Sequence, residues 1–142
     1  MQTWIVVADS SSARIFARAR RAAELTEIED LVHPESRSPG HDLTSDRPGR
    51  TFNSRGRTRH AMQPKHSAHE NALHNFAQDL ARRLERGRKS GKFQQLILVA
   101  GPRCIGRLHQ HLSAATAALV KREVHKNLVR RSAKTIRAHL NS

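Results

Sequence analysis

The sequence has few of the residues that cross-link or stack. Its 142 residues include one cysteine, one tryptophan, four phenylalanines and no tyrosine. The lone Cys104 excludes an intrachain disulfide framework, which fits a reducing compartment. Because aromatic rings are scarce, the core must consist mainly of Leu, Ile, Val and Ala, and few rings are available to stack on nucleic-acid bases.

Long hydrophobic runs are also missing. The N-terminus, MQTWIVVADSSSARIF, has no basic region before its apolar run, and that run is too short for a signal peptide. No stretch approaches the roughly 20 apolar residues that cross a bilayer. The sequence therefore predicts a cytoplasmic protein without membrane insertion, and its length predicts a single domain over residues 1–142.

Acidic residues are few, especially in the C-terminal half. Twelve Asp and Glu oppose 26 Lys and Arg, for a net charge of +14. Residues 82–142 hold fifteen Lys and Arg against two acids, whereas residues 1–32 hold four against five. A basic surface of this size attracts polyanions by releasing their counterions, so nucleic acid is the expected partner, followed by anionic membrane surfaces. An acidic protein partner, a homo-oligomer and solubility through net charge are the alternatives.

The stretch SDRPGRTFNSRGRTRHAMQPKH, residues 45–66, is here called the basic segment. It lies in a Pro- and Gly-rich region with no helical or strand period, which predicts a long basic loop at about 34–65. Guanidinium groups pair bidentately with phosphate oxygens, so we expect the cations of this loop to bind nucleic acid. The alternative is a solvated, disordered loop. The cations are Arg47, Arg50, Arg55, Arg57, Arg59 and Lys65.

Hydrophobic patterning in the N-terminal part predicts an antiparallel meander. Apolar runs at residues 3–8 and 13–19 flank a polar turn at 9–12, which indicates a β-hairpin. Residues 25–33 predict a third strand, and its acids are expected on the solvent side or at the sheet edge. These acids are Glu27, Glu29 and Asp30.

The pattern after the basic segment predicts two helices around a strand. Apolar residues three and four apart predict a helix over residues 67–86, ended by Gly87 and Gly91. Residues 96–100 are wholly apolar and predict a strand buried on both faces. The Gly-Pro pair at 101–102 then predicts a strand-to-helix corner, with a further helix beyond it.

The C-terminal region is less decided by its local pattern. Residues 119–129 fit a period of two and a period of four, so they are compatible with a strand or a helix. Ser132 predicts the cap of a terminal helix that turns Ile136 and Leu140 inward. Helices packed on a sheet make this an α/β fold.

Residue types that carry catalysis or bind metals are present without a convincing arrangement. No cysteine or suitably spaced carboxylate accompanies the histidines, so no metal or other cofactor is expected. Ser10–Ser12 lack a Ser-His-Asp order, and Asp9 is expected to hold the turn instead. Cys104 is expected to be a structural thiol. The histidines considered as ligands are His60, His66, His69, His74, His109 and His111.

Three motifs together resemble a known family. The stretches ADSSSAR, SDRPGR with RTRHA downstream, and LVAGPRCIGRL resemble the bacterial host attachment protein family, across nearly the whole chain. That family is similar in organisation to the middle domain of archaeal and eukaryotic class-1 peptide release factors. The resemblance implies a ribonuclease H-like, mixed and largely antiparallel five-stranded sheet, and it favours a last strand at residues 120–128.

The same resemblance implies a place for the basic segment. In release factors the loop between the third strand and the long helix carries a Gly-Gly-Gln tip, whereas the glycines here are Gly40, Gly49 and Gly56, and the nearest glutamine is Gln63. This difference speaks against peptidyl-tRNA hydrolysis. We therefore expect a noncatalytic RNA- or ribosome-associated protein. A peptidyl-tRNA or ester hydrolase using Gln63 or His60 is the alternative from another class.

Overall fold

The structure is a computed structural model that describes residues 1–21, 23–32 and 65–141, with the backbone alone over residues 65–70. The predicted loop at about 34–65 lies outside the described residues, except for its last residue. The arginines predicted to bind nucleic acid lie outside them too. Only the backbone of Lys65 is described, as the first residue of a helix.

The described residues form one five-stranded mixed sheet, as predicted. The strands are β1 (Thr3–Ala8), β2 (Ser12–Arg18), β3 (Thr26–Val32), β4 (Gln95–Val99) and β5 (Val120–Val124). Their order is β3-β2-β1-β4-β5. The meander β1-β2-β3 is antiparallel, as predicted, while β1 pairs with β4 and β4 with β5 in parallel.

Four helices accompany the sheet in the part of the chain that the structure describes. They are α1 (Lys65–Lys89), α2 (Pro102–His111), the short α3 (Ala114–Ala117) and α4 (Ala133–Asn141). None of them is both long enough and apolar enough to cross a membrane.

The core lies on both faces of the central strands β1 and β4. Successive side chains of a strand point to opposite faces, so the continuous apolar run of β1 fills two hydrophobic clusters. Trp4 and Val6 join the cluster formed with α1 and α2. Ile5 and Val7 join the cluster formed with α4. The two faces explain why β1 has no polar alternation.

The end of α1 corrects one prediction. Gly87 lies within the helix and does not end it, because α1 continues to Lys89. Gly91 has a φ of 70° and follows the last turn, where the amides of Gly91 and Lys92 donate to the carbonyls of Arg88 (3.0 Å) and Gly87 (2.9 Å). This pair of hydrogen bonds is a Schellman motif, in which a glycine readily adopts the left-handed conformation.

The chain after α2 resolves the ambiguous region. Residues 120–124 form an edge strand, and the chain then leaves the sheet, so the strand ends earlier than the 120–128 that the resemblance favoured. Leu128 and Val129 are buried in the cluster under α4 instead. The Oγ of Ser132 accepts a hydrogen bond from the amide of Thr135 at 3.1 Å, which confirms the predicted cap.

Candidate nucleic-acid interface

The described residues on either side of residues 33–64, which hold most of the basic segment, are Val32 and Lys65. Val32, the last residue of β3, pairs with Ser12 beside the β1–β2 turn. Asp9 holds this turn as predicted, because its Oδ1 accepts hydrogen bonds from the amides of Ser11 and Ser12, both at 2.9 Å. The chain is described again from Lys65, the first residue of α1.

A second basic region is fully described. Residues 120–141, here called the β5–α4 segment, contain seven Lys and Arg and a single acid, Glu123. That carboxylate contacts His109 and lies 3.5 Å from His125. Hydrogen bonds from His109 and His125 lower the pKa of Glu123, so it stays ionised beside two protonatable rings.

The acids of the rest of the described chain are used differently. Glu27 pairs with Arg14 at 2.9 Å, and Glu29 pairs with Arg83 across from β3 to α1. On α1 itself Glu85 pairs with Arg88 at 2.6 Å. These three carboxylates therefore neutralise cations of β2 and α1 rather than cations of the β5–α4 segment.

Arg14 ties the β5–α4 segment to the sheet. Its Nη1 donates to the carbonyl oxygens of Val129 at 2.9 Å and Arg131 at 2.7 Å, while Nε and Nη2 grip Glu27. The hydrogen bonds to Glu27 raise the pKa of Arg14 and outweigh the effect of burial. The basic residues between β5 and α4 are thus attached to a rigid support.

The structure also brings together basic residues that lie far apart in the sequence. Arg18 ends β2, and Arg20 and Arg21 follow it. They line a cleft of about 500 Å³ together with Lys121 and Arg122 of β5, about a hundred residues further along the chain. The run RARR at 18–21 was the only local signal for this cluster.

Two of the described candidate histidines, His74 and His111, contact each other. His74 and His111 have ring centroids 4.5 Å apart, and His111 Nε2 lies 3.3 Å from His74 Nδ1. Burial, followed by the neighbouring charges, lowers the pKa of His111. Among the described side chains no group of three or more His, Cys, Asp or Glu could hold a metal ion. His60 and the side chains of His66 and His69 lie outside the described part.

Cys104 has the structural role that its position after β4 predicts. Its thiol donates to the backbone oxygen of Asp9 at 3.7 Å, which joins α2 to the β1–β2 turn. Burial, with a further contribution from Asp9, raises its pKa to about 11. A thiol that stays protonated is a poor nucleophile.

Comparison with known proteins agrees with the sequence motifs. Residues 4–140 match a family described as a protein required for attachment to host cells. The chain belongs to this family. No curated protein sequence matches it.

Among solved structures, the fold is similar to that of an archaeal translation termination factor, with a TM-score of 0.52 and 10% sequence identity. The match covers 98% of this chain and 36% of the termination factor. Another structure, described only as an archaeal protein, has a TM-score of 0.43 and 13% identity over the same shares. This host attachment protein therefore has a release-factor-like fold and spans about a third of the length of that factor.

Proposed function

We propose that this host attachment protein is a cytoplasmic, noncatalytic, single-domain protein that associates with RNA or the ribosome. It would contact phosphates through the basic segment and the β5–α4 segment. The observation that carries the proposal is the distribution of charge. Residues 120–141 contain seven Lys and Arg and a single acid, and that acid contacts two histidines. The acid-free stretch from Arg47 to His66 and the release-factor-like fold agree with it.

The proposal is tested by binding of the purified protein to ribosomes and to structured RNA across a series of salt concentrations. Each phosphate contact should steepen the fall of log affinity with log salt by about 0.7–0.9. Binding that is absent even at low salt would overturn the proposal. Peptide release from charged tRNA that is lost in Gln63→Ala or His60→Ala would overturn its noncatalytic part.

Two sets of substitutions with a matched control locate the interface. One variant replaces the five arginines of the basic segment by serine, and the other replaces four exposed cations of the β5–α4 segment by serine. Each should weaken binding to RNA or ribosomes and reduce the dependence of the affinity on salt. The quadruple change should reduce the slope by up to about 3. An equal change of charge around the end of α1, at three cations of the helix and at Lys92 just beyond it, should have a smaller effect, because acids already neutralise part of that helix. The quadruple set is Lys126, Arg130, Arg131 and Lys134, and the control set is Arg82, Arg86, Lys89 and Lys92.

The control set also separates an interface from a general effect of charge. If the α1 set lowers the affinity and the slope as much as the β5–α4 set, binding follows net charge alone and the proposed surface is wrong. Capture of an acidic protein from lysate that survives nuclease treatment, without any RNA binding by the purified protein, would favour a protein-interaction module instead.

A further inference from the structure

Arg18 is a buried cation that the described protein does not neutralise. The residue is only 8% exposed, and its Nε and Nη1 have no hydrogen-bond partner among the described residues. A guanidinium carries five N–H donors in a fixed fork, and a buried donor without a partner costs free energy. Buried polar groups in folded proteins nearly always have a hydrogen-bond partner, so Arg18 is expected to have an acceptor that the described residues do not supply.

The surroundings of Arg18 form a cleft suited to an anion. The cleft has a volume of about 500 Å³ and lies where β1 and β4 begin and β2 ends. None of the described residues that line it is an Asp or a Glu, whereas several are cationic. The volume falls within the range of small-molecule sites. The cationic lining residues are Arg18, Arg20, Arg21, Lys121 and Arg122.

The electrostatics of the cleft point the same way. Burial lowers the pKa of Arg18, and the charges of Arg21, Arg122 and Arg137 lower it further. Arg122 is oriented by a hydrogen bond from Nη1 to the carbonyl oxygen of Leu140 at 2.7 Å. These guanidinium groups repel one another because no carboxylate lies among the described residues that line the cleft. An anion with two negative charges would be attracted to all of them and would offset their repulsion.

We infer that this cleft binds a phosphate group, which pairs with the guanidinium of Arg18 at the wall of the cleft while Arg21 and Lys121 contact it from the exposed rim. Phosphate has enough acceptor oxygens for a bidentate guanidinium and further donors at once. The phosphate site does not depend on the basic segment. That the phosphate belongs to an RNA strand, rather than to a free phosphorylated metabolite, rests on the proposed function.

Binding of inorganic phosphate to the full-length protein tests the site directly. Calorimetry should detect binding by the wild-type protein, and Arg18→Met should weaken it at least about tenfold, the loss expected when a charge-assisted hydrogen-bond pair is removed. Arg18→Lys should fall between the two. The control is Arg103→Met, an exposed arginine of α2 beyond the opposite end of β4, which should bind phosphate like the wild type.

A second measurement keeps the inference testable if Arg18→Met does not fold. In the wild-type protein, the Nε–H resonance of Arg18 should shift on addition of phosphate and not on addition of chloride at equal ionic strength. Absence of phosphate binding at millimolar concentration, or equal binding by the Arg18 and Arg103 variants, would overturn the inference.

Competition with RNA separates the two proposals. If phosphate displaces a short RNA oligonucleotide from the wild-type protein but not from Arg18→Met, the phosphate in the cleft comes from RNA. If phosphate binds and RNA does not, the cleft stands and the proposed function fails. If RNA binds with equal affinity to the wild type and Arg18→Met, and phosphate does not bind, the cleft is refuted and the proposed function stands.

Discussion

Replacement of Gly87 by alanine should destabilise this protein, although the same change in most helices is stabilising. A Cβ at position 87 would lie 2.6 Å from Cη2 and 2.7 Å from Cζ3 of Trp4, and 3.2 Å from Cε2 of Phe93. Carbon atoms normally pack at about 3.5–4.0 Å, so the indole or the helix would have to move by about 1 Å. Both rings are buried and pack on each other at 4.7 Å, which leaves them little freedom to move.

The magnitude follows from two opposing contributions. Alanine gains about 1 kcal/mol over glycine in a helix interior, whereas overpacking a core costs about 1–3 kcal/mol. We therefore expect Gly87→Ala to lose about 1 kcal/mol of unfolding free energy, or about 3 °C in Tm. The matched control is Gly106→Ala in the exposed part of α2, where an added Cβ meets nothing within 4 Å. It should gain about 0.5–1 kcal/mol.

Urea denaturation of the two variants and the wild type measures the difference. Adding Trp4→Phe should reduce the penalty of Gly87→Ala, because phenylalanine lacks the outer indole atoms that clash. If Gly87→Ala is as stabilising as Gly106→Ala, α1 does not pack against Trp4 as described. The result bears on the candidate site because the last two residues of the basic segment belong to α1, the helix that packs on Trp4 of β1.

Three further predictions concern polar contacts. Hydrogen bonds from Arg88, Thr116 and Ser113 lower the pKa of Glu85 to about 2. The ionised carboxylate therefore stabilises the folded protein fully above about pH 4.5, and this stabilisation is lost as the pH falls toward 2. The urea midpoint of Glu85→Gln should change less over this pH range than that of the wild type. Arg14→Met should cost about 1–2 kcal/mol in urea denaturation, since it removes charged hydrogen bonds that are only partly screened by solvent. At pH 8, Cys104 should react with iodoacetamide about a hundredfold more slowly in the folded protein than in the urea-unfolded protein. The reason is that a pKa of about 11 in the folded protein leaves little thiolate. Equal reaction rates would contradict the burial of this thiol.

Local patterns were sufficient for the elements whose burial repeats with a fixed period. The hairpin, the apolar strand β4 and the amphipathic helix α1 were all predicted within a few residues of their observed bounds. The ambiguous region after residue 119 was different, because its pattern fits two periods. It becomes a strand only through pairing with β4, a contact between residues more than twenty positions apart.

Gly87 shows a second limit of local reasoning. A glycine near the end of a helical pattern usually marks its end, and Gly91 does so here. Gly87 is a glycine for another reason, since Trp4 of β1 occupies the space that a side chain would need. Such a close approach involves residues far apart in sequence, so composition and spacing cannot distinguish the two glycines.

Net charge could be read from the sequence, but its distribution over the surface could not. Glu29 lies on β3 and neutralises Arg83, 54 residues later on α1. The position of the acids therefore decides which basic residues remain available to a polyanion. Glu27, Glu29 and Glu85 pair with cations of β2 and α1, so these three carboxylates are not the partners of the Lys and Arg on the opposite edge strand and α4. Arg18 lies on the meander but points into the cleft shared with β5, so it belongs to the charged side of the molecule despite its place in the chain.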